Sequence, residues 1–252
     1  MLTAPKTETV RAADTCLRIL EEIAFSEQSQ GVTQLAGKVG TAKGAVHKHL
    51  RTLIDRGMVV QDPVTSLYRL GPKIWLMGQR APVGQALAEI ALPLMQVARD
   101  ELGLAVVLSV PTPQSAFVLA TLRSNQPIDI GVQPGSELNL HSSAQGWVFL
   151  AYDAQHRNAA QGAPLPQVTP KTITSFQDLE REIIRVRDRG YAVAPEQSLL
   201  GINALAAPIF DRAGRLVGSI GLIGSIQHLG VEPTAQQIGI LLDLTRKISE
   251  RV

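Results

Sequence analysis

Cysteine is almost absent: Cys16 stands alone in 252 residues, so neither an internal disulfide nor a thiolate cluster for a structural metal is available. It falls in an apolar helical stripe and reads as a core side chain. No apolar stretch reaches the roughly 18 residues that a membrane helix needs before Gly, Ser, Pro or a charge breaks it. The N-terminus carries no apolar signal region, so a cytoplasmic protein that stays out of the membrane is expected. The machinery of common enzymes is missing as well. There is no Gly-x-Ser-x-Gly elbow, no phosphate loop and no metal-spaced set, and the five His are scattered. The glycines of Gly218 to Gly224 lie within a β-prone run rather than opening a helix, which speaks against a nucleotide site. His141 beside Ser142-Ser143 lacks an identifiable acid partner, so a helix cap at Ser142 or Ser143 is the expectation there. No catalytic residue, metal or cofactor is expected.

What is present suffices for two folded domains, since 45% of the residues are apolar. Charge divides along the chain. Residues 1–80 hold eleven Lys and Arg against seven Asp and Glu, and the remainder thirteen against fifteen. From Val10 to Phe25, Ala13, Leu17, Leu20 and Ala24 recur on one helix face. Thr33 is the expected N-cap of a short helix, Gln34 to Val39, ending at Gly40. A third helix spans about Lys43 to Arg56, with Val46, Leu50, Leu53 and Ile54 on one stripe. Gly44, His47, Lys48, Arg51 and Thr52 lie on the other. An apolar back and a cationic front are what a major-groove reader needs, Lys and Arg meeting phosphates and His or Arg meeting base edges. Two β-prone runs, Met58 to Gln61 and Leu67 to Leu70, flank a turn at Asp62-Pro63 and read as a wing.

Here the sequence resembles the IclR family of regulators. The resemblance rests on Leu35-Ala36, Gly40, Lys43, Val46-His47, Leu50, Leu53, Arg56-Gly57 and Tyr68-Arg69-Leu70-Gly71. It continues in Leu140-His141-Ser142-Ser143-Ala144-Gln145-Gly146, Thr169 to Thr174, Arg187 to Tyr191 and Leu205 to Asp211. It implies a mixed α/β protein of two domains. Residues 1–71 would form a winged helix-turn-helix, 72–81 a linker helix and 82–252 an α+β, GAF-like effector-binding domain. The family usually has Ser-Thr entering the recognition helix where this chain has Gly44-Ala45. DNA contact would then lean on backbone N–H groups and on Lys43, Lys48 and Arg51, with Thr33 and the wing's Arg69 beside them.

Beyond the linker, a helix is predicted from Pro82 to about Leu102, then strands at Leu104 to Val110, Ala116 to Arg123 and Ile128 to Val132. Helices follow at Ser142 to Tyr152 and Phe176 to Arg189, strands at Tyr191 to Ala194, Ile202 to Phe210 and Leu216 to Ile223, and a last helix at Thr234 to Arg251. The resemblance implies a pocket between the sheet and the segments around 142–146 and 191–204. Polar residues of acid-binding members are replaced there by Ala194, Ala204, Gly221 and Ile223, which implies an aromatic or largely apolar effector. Ser142, Ser143, Ala144, Gln145, Gln197, Ile202 and Asn203 complete the expected lining. The partners implied are a near-palindromic operator duplex, a small-molecule effector and further copies of the chain, as a homodimer or a dimer of dimers. Two other readings stay open: a small-molecule hydrolase or isomerase using the same pocket, and a constitutive architectural DNA binder.

Overall fold

Ile19, Ile23, Leu35, Val46, Leu50 and Leu53 share one small core with Val59 and Tyr68, and their spacing produces three helices followed by a hairpin. The computed structural model describes residues 10–26, 28–80, 82–127 and 130–252, with backbone alone at 82–85. Its contacts divide into two units, Met1–Pro82 and Val83–Val252. In the first, α1 (Arg11–Ala24), α2 (Val32–Val39) and α3 (Lys43–Asp55) precede β1 (Val59–Gln61), β2 (Tyr68–Leu70) and α4 (Pro72–Gly78). The strands pair antiparallel, with Val60 opposite Arg69.

Two sequence expectations change here. The buried face of α1 is Ile19 and Ile23, joined by Cys16 and Leu20, whereas Ala13 and Leu17 face outward and Leu17 is 57% exposed. This helix has two apolar stripes, and periodicity alone chose the wrong one. Burial also pushes the Cys16 thiol pKa up. Thr33 is not a cap: it lies inside α2, exposed, and Gly31 is the cap residue. The Gln34 side chain accepts the Gly31 N–H at 2.9 Å, closing the turn that a hydroxyl was expected to close.

The wing is braced from behind. Gly71 donates to Met58 O at 2.7 Å, and a Cβ on Gly71 would stand 2.4 Å from Gly57 O. Gly57 itself has φ +72°. The pair Gly57 and Gly71 is therefore required by a close backbone crossing, which explains both glycines of the motif. At the tip, Asp62 accepts from the Thr65 and Val64 N–H groups and the Thr65 hydroxyl. These bonds, the Thr65 backbone first, lower its pKa.

The second unit opens with α5 (Pro82–Leu102) and contains β3 (Ala105–Pro111), β4 (Ser115–Leu122), β5 (Glu137–Asn139), α6 (Ala144–Tyr152), α7 (Ala154–Gln161), α8 (Phe176–Arg189), β6 (Ala192–Val193), β7 (Ile202–Phe210), β8 (Leu216–Ser225) and α9 (Ala235–Ser249). Its six strands form one antiparallel sheet in the order β5-β4-β3-β8-β7-β6. Strand alternation sorts the residues between two cores. Val106, Leu108, Leu205, Ile209, Ile220 and Leu222 meet α5 and α9 on one face, while Ala192 and Ala206 meet α6 and α8 on the other.

Of the strand expected at Ile128 to Val132, residues 128 and 129 lie outside the described residues, and Ile130 to Val132 run without strand pairing. The pairing occurs instead at β5, where Leu138 sits opposite Ala116. The sequence pattern also missed α7, whose N-cap Asp153 accepts from Gln155 N at 2.8 Å.

A basic helix face and a cavity as candidate sites

The front of α3 is the first candidate. Val46, Leu50 and Leu53 anchor it from behind, which leaves Lys43, Gly44, His47, Lys48, Arg51 and Thr52 exposed, with Ala45 half-buried. Arg51 pairs with Asp55 one turn on, Nε to Oδ1 3.2 Å, and its side chain remains 80% exposed. So exposed a pair contributes little to stability and leaves the guanidinium open to another anion. Around Gly44 a Cβ would meet nothing within 4 Å, so packing does not exclude a larger residue there. Arg69 is exposed on the wing, and Thr33 is exposed on α2.

The second candidate is a cavity of about 150 Å³ in the C-terminal unit. It lies beside the start of α6, against β7 and β8. Ser142, Ser143, Ala144 and Gln145 line one side; Ala194, Ile202, Asn203, Ala204, Gly221 and Ile223 line another. Two glycines position these walls. A Cβ on Gly146 would fall 2.5 Å from Leu140 Cα and O and 2.7 Å from Asn139 O, so only glycine lets α6 begin this close to β5. Gly221 performs the second task. Its missing Cβ makes room for Gln145, whose Cδ would lie 3.0 Å away.

Gln145 is buried and donates to Val107 O at 3.2 Å and Ser219 O at 3.4 Å. The volume that a side chain at 221 would take is therefore filled by the Gln145 side chain. Gly221 still lines the cavity, as expected from the sequence.

Ser143 caps α6, accepting from Gly146 N at 3.1 Å and donating to Asn139 O at 2.7 Å. Helix geometry leaves the first-turn N–H groups of Ala144 and Gln145 without intrahelical partners, and the positive end of the helix dipole lies there. Ser142 is 1% exposed, and its hydroxyl has no hydrogen-bond partner. A buried unpaired hydroxyl costs about 1–3 kcal/mol, so this one is poised to bind something polar. The remaining walls are mostly apolar.

Gln197 does not line this cavity. Its Oε1 accepts from Ile173 N at 2.9 Å and its Nε2 donates to Lys171 O at 2.7 Å. Both halves of the amide are spent on a clasp, and that accounts for the Thr169 to Thr174 motif. Thr169 Oγ1 donates to Glu196 O at 2.6 Å and Thr172 Oγ1 to Gln197 O at 2.7 Å. Glu196, at φ +57°, accepts Gly201 N–H at 2.9 Å. The clasp holds the segment whose Ser198 and Leu199 line the cavity, and the Ser198 hydroxyl donates to Ser142 O. Asn203 does line the cavity, yet its amide is also engaged, with Gly230 O at 2.6 Å and Ala204 N at 2.8 Å.

Sequence reading missed Ile130, Gly131, Val132 and Leu138 as lining residues, and placed Ser198 and Leu199 only through their segment, 191–204. Among the described residues no group of three or more His, Cys, Asp or Glu is placed to hold a metal ion, and no helix is long and apolar enough to cross a membrane.

Comparison with known proteins places both candidates in context. Residues 12–63 match the IclR helix-turn-helix domain, and residues 79–250 match the bacterial transcriptional regulator IclR C-terminal family. The glycerol operon regulatory protein of Streptomyces coelicolor is 31% identical over 226 residues, covering 87% of each chain. The HTH-type transcriptional regulator BhcR of Paracoccus denitrificans is 27% identical over 242 residues, 95% of this chain and 86% of that protein. Among solved structures, an IclR homolog from Microbacterium hydrocarbonoxydans complexed with 4-hydroxybenzoate superposes with a TM-score of 0.80 at 20% identity, covering 95% of this chain and 98% of its own.

Proposed function

Because the chain belongs to the IclR family of bacterial transcriptional regulators, we propose that it binds a near-palindromic operator through α3 and the wing, and that a small aromatic or largely apolar acid in the C-terminal cavity controls that binding. The family is one of transcriptional regulators, so the hydrolase and isomerase alternative falls away. In this reading residues 1–71 read DNA, 72–81 link, and 82–252 sense, in the cytoplasm.

On the DNA, Lys43, Lys48 and Arg51 contact phosphates, and the N–H groups entering α3 at Gly44 and Ala45 do the same. His47 faces base edges, with Thr33 and Arg69 contacting the flanking backbone. Symmetric operators require a two-fold protein. A homodimer or dimer of dimers is supported by apolar residues left exposed on the N-terminal unit, among them Leu17 and Trp75.

The observation that carries the ligand reading is the unpaired, buried Ser142 hydroxyl beside the α6 N-terminus in an otherwise largely apolar cavity. A carboxylate there would accept from Ser142 and the first-turn N–H groups, and a ring would fill the rest. A dry apolar cavity of about 150 Å³ holds one benzene ring. The 4-hydroxybenzoate bound by the Microbacterium protein is of that class.

The test uses a duplex selected from a random pool by the wild-type protein, with anisotropy as readout. Arg51→Ala and Lys48→Ala should each weaken binding and flatten its salt dependence by about one phosphate contact. Ala204→Phe should abolish the response to benzoates while leaving operator affinity intact. Unchanged affinity in both α3 variants refutes the DNA assignment. Tight calorimetric binding of pyruvate with no benzoate or phenol bound refutes the ligand assignment.

A further inference from the structure

We infer that the ligand site is bipartite, and that it selects a monocarboxylate with an elongated apolar tail. The inference deepens the reading of the inner cavity as the ligand site and rests on it. A second cavity of about 480 Å³ lies in the same unit, against about 150 Å³ for the first. Both have Ile130 and Ile223 in their walls. These two residues also belong to one apolar cluster, so they form the partition between an inner and an outer chamber.

The outer chamber has the chemistry of a tail pocket. Leu104, Pro127 and Ile226 add apolar surface to the partition residues, and Gly103 and Gly224 present backbone without side chains. Its Ser225 Oγ and His228 Nδ1 satisfy each other at 3.0 Å.

The polar end of the site is accordingly the inner one, at Ser142 and the start of α6. A single ring fills the inner chamber and leaves the outer apolar walls to water. A tail crossing between Ile130 and Ile223 removes that surface from water, at roughly a fourfold gain in affinity per buried methylene.

Calorimetry of the full chain with benzoate and its 4-ethyl, 4-butyl and 4-hexyl derivatives tests this. Wild-type affinity should climb by roughly that factor per methylene until the chamber is full. Ser225→Trp fills the chamber from the sheet and Gln126→Trp from the loop wall. Each should flatten the climb while leaving benzoate affinity unchanged, which also shows that the variant is folded. If benzoate binds but the series is flat or falling, the outer chamber is not part of the site and the inner reading stands. If the climb survives both tryptophans, the tail lies elsewhere and the bipartite site is overturned. If no member binds, benzoate included, the inner-cavity reading fails and this one with it.

Discussion

Two glycines in helices of the sensing unit should respond to alanine in opposite directions. Gly239 lies in α9, where an added Cβ would meet nothing within 4 Å, whereas a Cβ on Gly146 in α6 would stand 2.5 Å from Leu140 Cα and O. Helix propensity favours alanine at either site, by up to about 0.8–1.0 kcal/mol in a helix interior. Gly239→Ala should therefore stabilise the unit by up to about 1 kcal/mol, roughly 2–4 °C in Tm for a unit of this size. At Gly146 the same gain meets a backbone that cannot rotate away. Overpacking typically costs about 1–3 kcal/mol, and contact with main chain belongs at the upper end. A net loss of about 2 kcal/mol is expected, roughly 4–8 °C. Urea unfolding of the full chain followed by tryptophan emission suits this comparison. Trp147 is 2% exposed in the affected helix, whereas Trp75, in the other unit, is 66% exposed and changes its surroundings less on unfolding. A Gly146→Ala midpoint at or above wild type would refute the close-approach argument, as would both variants shifting the same way.

Other consequences are open to equally direct measurement. Gln197→Ala leaves Ile173 N–H and Lys171 O unpaired and should cost about 1–3 kcal/mol; loosening the clasp should also weaken benzoate binding in calorimetry without altering operator affinity. Gly221→Ser should push Gln145 off the Val107 and Ser219 carbonyls and destabilise the sensing unit by about 1–3 kcal/mol. Because the two side chains compete for one space, adding Gln145→Ala should recover part of that loss, a non-additivity visible in a double-mutant cycle. Trp75→Ala should weaken self-association in sedimentation while thermal unfolding of the N-terminal unit is nearly unchanged, as expected for a side chain exposed in the single chain.

The elements that were legible in the sequence are those whose apolar stripe is long and one-sided. α3 and α8 emerge within a residue or two, and β7 and β8 follow from unbroken β-prone runs. β5 was missed because three residues are too few for alternation to register, and α7 because it buries only His156 and Ala160. The stripe on α1 was misassigned because Leu17 is apolar yet exposed, which no periodicity can distinguish from core. At the cavity, the segments 142–145 and 202–204 were legible. What Gly221 does was not, because its neighbour Gln145 is remote in sequence and the trade between a missing Cβ and an amide exists only in three dimensions. Gln197 looked like a lining residue for a similar reason: its partners are backbone atoms, which carry no residue signature.

The strand order has a kinetic consequence. The two middle strands of the sheet, β3 and β8, come from near opposite ends of the sensing unit, Val107 pairing with Gly221. Closing so long a loop makes their pairing late and slow. The winged unit precedes the sensing unit in the chain, and its last element is made with α4. At about 5–20 residues per second of synthesis, β8 follows on the order of ten seconds later. From the synthesis of β3 to that of β8, the edge of β3 that β8 will cover has no strand to pair with. An unpaired edge is a template for other strands, so the sensing half is exposed to misassembly until its last strand arrives.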